Sequence, residues 1–238
     1  MIWNGLLDSN QCRPPNPVLR LASAPARWAT IGLCRGLLSL RSKDLPPRGE
    51  RPRIYAANHA SHADFVAIWT ALPQAMRMVT RPVAGADYWE KTPLRRWLIT
   101  HVFNGVLIDR SGKRAAPSEL TPAPAPQENP AIARLSATLQ AGEDLIFFPE
   151  GTRNLTDVDL LRIRSGIYQI LEQVPEAEVV PLWISHMSRI LPKGAWLPVP
   201  LNCTLTFGTP LRVGPDESRA EFLDRLHAAL LECKANAL

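Results

Sequence analysis

From Arg53 onward, short apolar runs alternate with segments of helical periodicity, and nothing else in the chain constrains its fold as strongly. Residues 53–58 ("RIYAAN"), 105–109, 144–148, 179–184 and 203–207 read as strands. Apolar runs this short and this continuous suit strands buried on both faces. Residues 76–84 also look β-like. Between these runs, 65–72, 93–103, 131–141 and 166–174 read as helices. A last helix over 218–234 is marked by Ser218 with Glu221 three residues later, the pattern of a reciprocal cap. Strands separated by helices predict an α/β sheet domain.

Two stretches fall outside that alternation. Residues 111–130 ("SGKRAAPSELTPAPAPQENP") hold five prolines and almost no bulky side chain, so they read as a flexible insert. Near the N-terminus a helix is predicted from Pro25 to about Arg41, with Arg27, Arg35 and Arg41 within one arc. This is either a helix packed on the domain with a solvated stripe or one lying on an anionic membrane. Its apolar part, Trp28–Leu40, is interrupted by Arg35 and is too short to span a bilayer. The first residues lack the basic start and small-residue cleavage site of a signal peptide. The net charge of +5 favours anionic partners without choosing among phosphates, acidic lipids and nucleic acid. Four scattered cysteines have no metal-ligand spacing and are expected to be reduced thiols in a cytosolic protein.

Chemistry-bearing residues gather where strands end, the place where α/β sheets put their sites. In "NHASHADF" (58–65), His59 and Asp64 would point apart on a continuous helix but can meet across a strand-to-helix turn. A carboxylate beside an imidazole fixes its tautomer and stabilises the imidazolium. The plainer alternative is a capping box, with Ser61 at the N-cap and Asp64 at the third helical position. In "FFPEGTRN" (147–154), Gly151 allows close backbone approach, and Thr152 and Arg153 suit phosphate oxygens. Here the alternative is a surface ion pair between Glu150 and Arg153. Asp109–Arg110, and Arg162 and Arg164 ahead of Ser165, can likewise be a strand-end pair and a solvated basic turn, or parts of a phosphate site.

In this order the stretches resemble the motif set of the glycerolipid, or lysophospholipid, acyltransferases with the His-x4-Asp signature, such as the bacterial 1-acylglycerol-3-phosphate acyltransferases. Asn58, His59 and Asp64 match the first motif, and Gly105 to Arg110 match the second. Phe148 to Arg153 match the third residue for residue, and the strand around Pro181 matches the fourth. The resemblance implies a mixed sheet flanked by helices, like that of glycerol-3-phosphate acyltransferase. It also implies an acyltransferase domain over 46–238, with residues 1–45 as a membrane-associated segment.

The implied reaction moves a fatty acyl group from acyl-CoA or acyl carrier protein to a lysophospholipid hydroxyl, giving phosphatidic acid from 1-acylglycerol-3-phosphate. Other acceptors and a non-catalytic lipid-binding role are the alternatives. His59, rather than His62, would be the base and Asp64 would orient it. Asn58, Arg110, Glu150, Gly151, Thr152, Arg153 and Arg164 would bind substrate. No metal, cofactor or nucleic acid is implied, and the expected location is peripheral, on the cytoplasmic face of the inner membrane. The chain departs from the family where lysines are common between the first two motifs; it reads "VAGADYWEK" there, which leaves Arg81 or Lys91 as substitutes. Trp69, Trp89 and Trp97 would either line an acyl groove or belong to the core, the core being favoured.

Overall fold

A computed structural model describes residues 22–61, 63–109, 129–185 and 203–237. His62, Arg110 and residues 111–128 of the insert therefore lie outside the described residues. The elements, in chain order, are α1 (Ala24–Leu38), β1 (Arg41–Lys43), β2 (Arg53–Ala57), α2 (Asp64–Ala71), α3 (Gln74–Val79), β3 (Thr80–Gly85), α4 (Ala86–Trp89) and α5 (Pro93–Trp97). A π turn over Leu98–Val102 follows, then β4 (Val106–Ile108), α6 (Pro130–Gln140), β5 (Asp144–Phe147), α7 (Gly166–Gln173), β6 (Glu178–Ile184), β7 (Thr204–Phe207) and α8 (Arg219–Ala235).

The strands form one seven-stranded mixed sheet in the order β1-β7-β6-β2-β5-β3-β4. β6, β2, β5, β3 and β4 are parallel, and β7 turns antiparallel to β6 while running parallel to β1. Every residue of the central strand β2 is buried, as the apolar run Ile54–Ala57 requires, with Arg53 buried at its start. One face of the sheet packs against α1, α2 and the π turn through Tyr55, Ile68, Trp69 and Phe103. The other packs against α6, α7 and α8 through Ile54, Leu145, Ile167 and Phe222. Parallel strands crossed by helices on both faces put all their C-terminal ends along one edge, and the candidate site lies there.

Most expected elements are present within a residue or two, and the Ser218–Glu221 capping box forms in full. Two readings change. Residues 76–79 are helical rather than β-like; Arg77 of α3 donates to the C-terminal carbonyls of α2 at Trp69, Thr70 and Leu72. A buried guanidinium that satisfies orphan carbonyls requires this tight helix–helix turn, and no periodicity announces it. The predicted N-terminal helix ends at Leu38, and Arg41 begins an edge strand paired with β7. The arginine stripe is therefore divided, and Arg27 donates inward to the carbonyls of His101 and Val102 in the π turn. Among the described residues no helix is long and apolar enough to cross a membrane.

Candidate active site

β2 delivers His59 to the C-terminal edge of the sheet, and the chain then turns so that Asp64 opens α2. Asp64 is wholly buried. Its Oδ2 lies 2.8 Å from His59 Nδ1 and accepts the backbone N–H groups of Ala60 and Ser61, both at 2.7 Å. An oxygen gathering these donors is an ionised carboxylate, so Nδ1 carries its proton toward Asp64. Nε2 is left as the basic nitrogen. The Phe148 ring stacks on the imidazole at 4.1 Å between centroids and 19° between planes.

The capping-box alternative is half realised. Asp64 reaches back to the Ser61 N–H as such a box requires, but α2 starts after Ala63, and the Ser61 hydroxyl accepts from Ala63. Asp64 Oδ1 is buried and has no hydrogen-bond partner among the described residues. The Asp64 charge and burial together push the Cys203 thiol up to about 12, burial being the larger cause.

The third motif folds as a turn directly after β5. Gly151 has φ +70°, and a Cβ there would come 2.7 Å from Arg164 Cδ; backbone conformation and space both call for glycine. Glu150 does not pair with Arg153. It is buried, its Oε1 accepts the His59 N–H at 2.8 Å, and its Oε2 accepts the Leu161 N–H at 2.9 Å. Burial raises its carboxyl above the ordinary value despite those donors. Arg164 packs over the turn and donates through Nε to the Glu150 carbonyl. Thr152 is exposed, and Arg153, half-buried, makes no hydrogen bond or ion pair among the described residues.

Asn58 is also turned inward. Its Nδ2 donates to the Ile184 carbonyl and its Oδ1 accepts the Ile184 N–H at 2.7 Å, so the side chain acts as one more rung between β2 and β6. Gly105 of the second motif admits the π turn, since a Cβ there would meet Ile99 at 2.6 Å. Arg81 does not stand in for the missing lysines. It lies near the opposite end of β3, buried, donating to the Asn104 carbonyl and to Glu143. Lys91 is exposed. Trp69 is core, Trp89 packs on Phe65, and Trp97 is exposed at the surface.

The structure thus brings His59, Asp64, Glu150, Gly151, Thr152, Arg153 and Arg164 to one edge. Missed by sequence reasoning were the ring stack of Phe148 and the inward use of Asn58 and Glu150. Only the adjacency of Phe148 and Glu150 in one motif pointed toward them.

Residues 38–185 match the family model for acyltransferases. No curated protein matches the chain. Among solved structures, the 1-acyl-sn-glycerophosphate (LPA) acyltransferase PlsC from Thermotoga maritima is similar, with a TM-score of 0.66 and 19% sequence identity, over 95% of this chain and 85% of that one. At that identity the likeness speaks for the fold, while the family match spans the imidazole–carboxylate pair and the whole third motif. The chain belongs to the acyltransferase family and is an enzyme of acyl transfer.

Proposed function

We propose that the enzyme transfers a fatty acyl group from acyl-CoA or acyl carrier protein to a lysophospholipid hydroxyl, above all that of 1-acylglycerol-3-phosphate, yielding phosphatidic acid. The observation that carries this reading is the fixed imidazole of His59, with Nδ1 held by Asp64 and Nε2 left as a base. Nε2 removes the hydroxyl proton as the alcohol oxygen attacks the thioester carbonyl carbon. The C–S bond of the tetrahedral intermediate then breaks, and the imidazolium returns its proton to the leaving thiolate. The acceptor is itself the nucleophile, so no acyl-enzyme is required. Its phosphate is assigned to Arg153 and Thr152 on the turn and to Arg164 packed over it, together with Arg110, which follows β4 in the sequence.

The acceptor's lipid character is supported by one surface. Trp28 and Leu33 of α1 are 65% and 62% exposed, and Leu94 and Trp97 of α5 are 65% and 40% exposed. Arg27 ties α1 to the π turn that continues α5; Arg35 and Arg96 are exposed on α1 and α5, and Lys91 is exposed just before α5. Apolar side chains set among cations suit an anionic bilayer surface, each cation contributing about 1 kcal/mol. On this reading the enzyme docks peripherally on the cytoplasmic face.

The test is an assay of purified protein with acyl-CoA and acyl carrier protein donors against lysophosphatidic acid, other lysophospholipids and glycerol-3-phosphate. Thioester-dependent formation of phosphatidic acid is expected, fastest with lysophosphatidic acid. A second arm uses Trp28→Ser with Trp97→Ser, which should sediment less with anionic vesicles and lose activity on vesicle-embedded but not detergent-dispersed acceptor. Acylated product from another acceptor, with none from lysophosphatidic acid, would overturn the acceptor assignment.

A further inference from the structure

The third-motif glutamate is turned into the protein. Glu150 is 1% exposed, and each of its oxygens accepts one backbone N–H, from His59 at 2.8 Å and from Leu161 at 2.9 Å. The connection runs in both directions, because the Asn154 N–H donates to the His59 carbonyl at 2.6 Å. The segment 154–161 therefore begins on the carbonyl of His59 and ends on the carboxylate that holds the N–H of the same residue. Its first turn is closed internally by Asn154, whose Oδ1 accepts from Thr156 and whose Nδ2 donates to the Val158 carbonyl. Arg153 lies immediately before this segment, and Arg162 and Arg164 lie immediately after it.

We infer that Glu150 is a positioning residue: it locks the backbone of His59 and the 154–161 segment into one rigid unit and does not touch the acceptor. With the main-chain N–H and C=O of His59 both engaged, Nδ1 on Asp64 and the ring face on Phe148, the imidazole retains little freedom except to present Nε2. A buried carboxylate is the group for this task because it offers two acceptors and no donor. Glutamine keeps the shape, but its NH₂ would face one of the two N–H groups. Aspartate is one methylene too short to span both. Misplacing a reacting group by about 1 Å can cost about 10²-fold in rate.

The inference rests on His59 being the base of an acyl transfer, and the experiment separates the two ideas. Wild-type protein with an acyl-CoA donor and lysophosphatidic acid tests the reaction. Glu150→Gln and Glu150→Asp then test the positioning, with kcat, the lysolipid KM and the low-field proton resonance of the His59–Asp64 hydrogen bond as readouts. Expected is a loss of kcat of about 10–10²-fold with the lysolipid KM within about threefold of wild type. The low-field resonance, sharp in wild type, should shift or broaden in the variant without substrate present. A thermal melt identifies the variant that keeps its fold, and that variant decides. A raised lysolipid KM at unchanged kcat would make Glu150 a direct acceptor ligand and overturn the inference. So would a lowered kcat with an unmoved resonance, or no change in either.

Discussion

The two edges of the sheet both hold carboxylates, but they treat them in opposite ways. At the N-terminal edge each acid meets a guanidinium: Asp144 with Arg48 at 3.4 Å, Glu178 with Arg53 at 3.4 Å, Glu143 with Arg81 at 2.8 Å. At the C-terminal edge Asp64 and Glu150 meet N–H groups and an imidazole, and neither pairs with a lysine or arginine among the described residues. The cations of that edge face elsewhere; Arg153 is uncommitted and Arg164 spends one N–H on a carbonyl. Opposite charges placed side by side neutralise each other and hold strands together. Held apart, on the proposed function they leave a base on one side and an anion receptor on the other, and the separation costs stability that local pairing would have recovered.

The largest effect should follow from breaking the C-terminal arrangement at its centre. His59→Ala removes the proposed base, and its rate should fall by about 10²–10⁴-fold. Asp64→Asn should fall on a similar scale, because an amide side chain can donate to Nδ1 and so stabilise the wrong tautomer. Both are read by steady-state acyl transfer with lysophosphatidic acid. A near-normal rate in Asp64→Asn would mean that the carboxylate merely caps α2.

How far the site could be read from sequence follows the same contrast. His59 and Asp64 were legible as a pair because local spacing and a strand-to-helix turn bring them together, and Arg153 stood out by residue type, although it is the β2–β5 pairing that brings its turn to the same edge. The contacts of Asn58 and Glu150 were not legible, since they depend on which backbone groups lie across from them: Ile184 is 126 positions away from Asn58, and His59 is 91 positions from Glu150. The fold shows the same limit. Buried runs such as β2 announce themselves, whereas α3 was mistaken for strand because its helix is held by the carbonyls of α2 through Arg77. Edge strand β1, three exposed residues long, carries no apolar pattern at all.

A paired substitution sharpens the comparison at an intermediate scale. Arg81→Met removes the cation over Glu143 and the donor to Asn104. It should cost about 1–3 kcal/mol in urea unfolding and leave kcat and KM near wild type. Arg153→Lys should do the reverse: it keeps the charge and the stability but loses the planar fork, raising the lysolipid KM by about tenfold with the acyl-donor KM unchanged. Were Arg153→Lys to destabilise the fold and spare binding, the division between a structural edge and a receptive edge would fail.

The smallest effect concerns pH, and its sign distinguishes burial from pairing. Burial is the largest influence on Glu150 and raises its carboxyl above the ordinary 4.5. In the window between that value and the raised folded value, the native state binds more protons than the unfolded chain. Unfolding free energy contributed by this group is therefore fully present below about pH 4 and is lost as pH rises through the folded value. Glu150→Gln cannot titrate, so urea melts from about pH 4 to pH 8 should move the stability difference in the variant's favour as pH increases. Asp144→Asn should move in the same direction, because burial outweighs Arg48 and Arg53 there as well and raises that carboxyl too. If the Asp144 difference instead moved toward the wild type with rising pH, the guanidiniums would dominate at the N-terminal edge, and the two edges would differ in the energetics of ionisation as well as in the placement of charge.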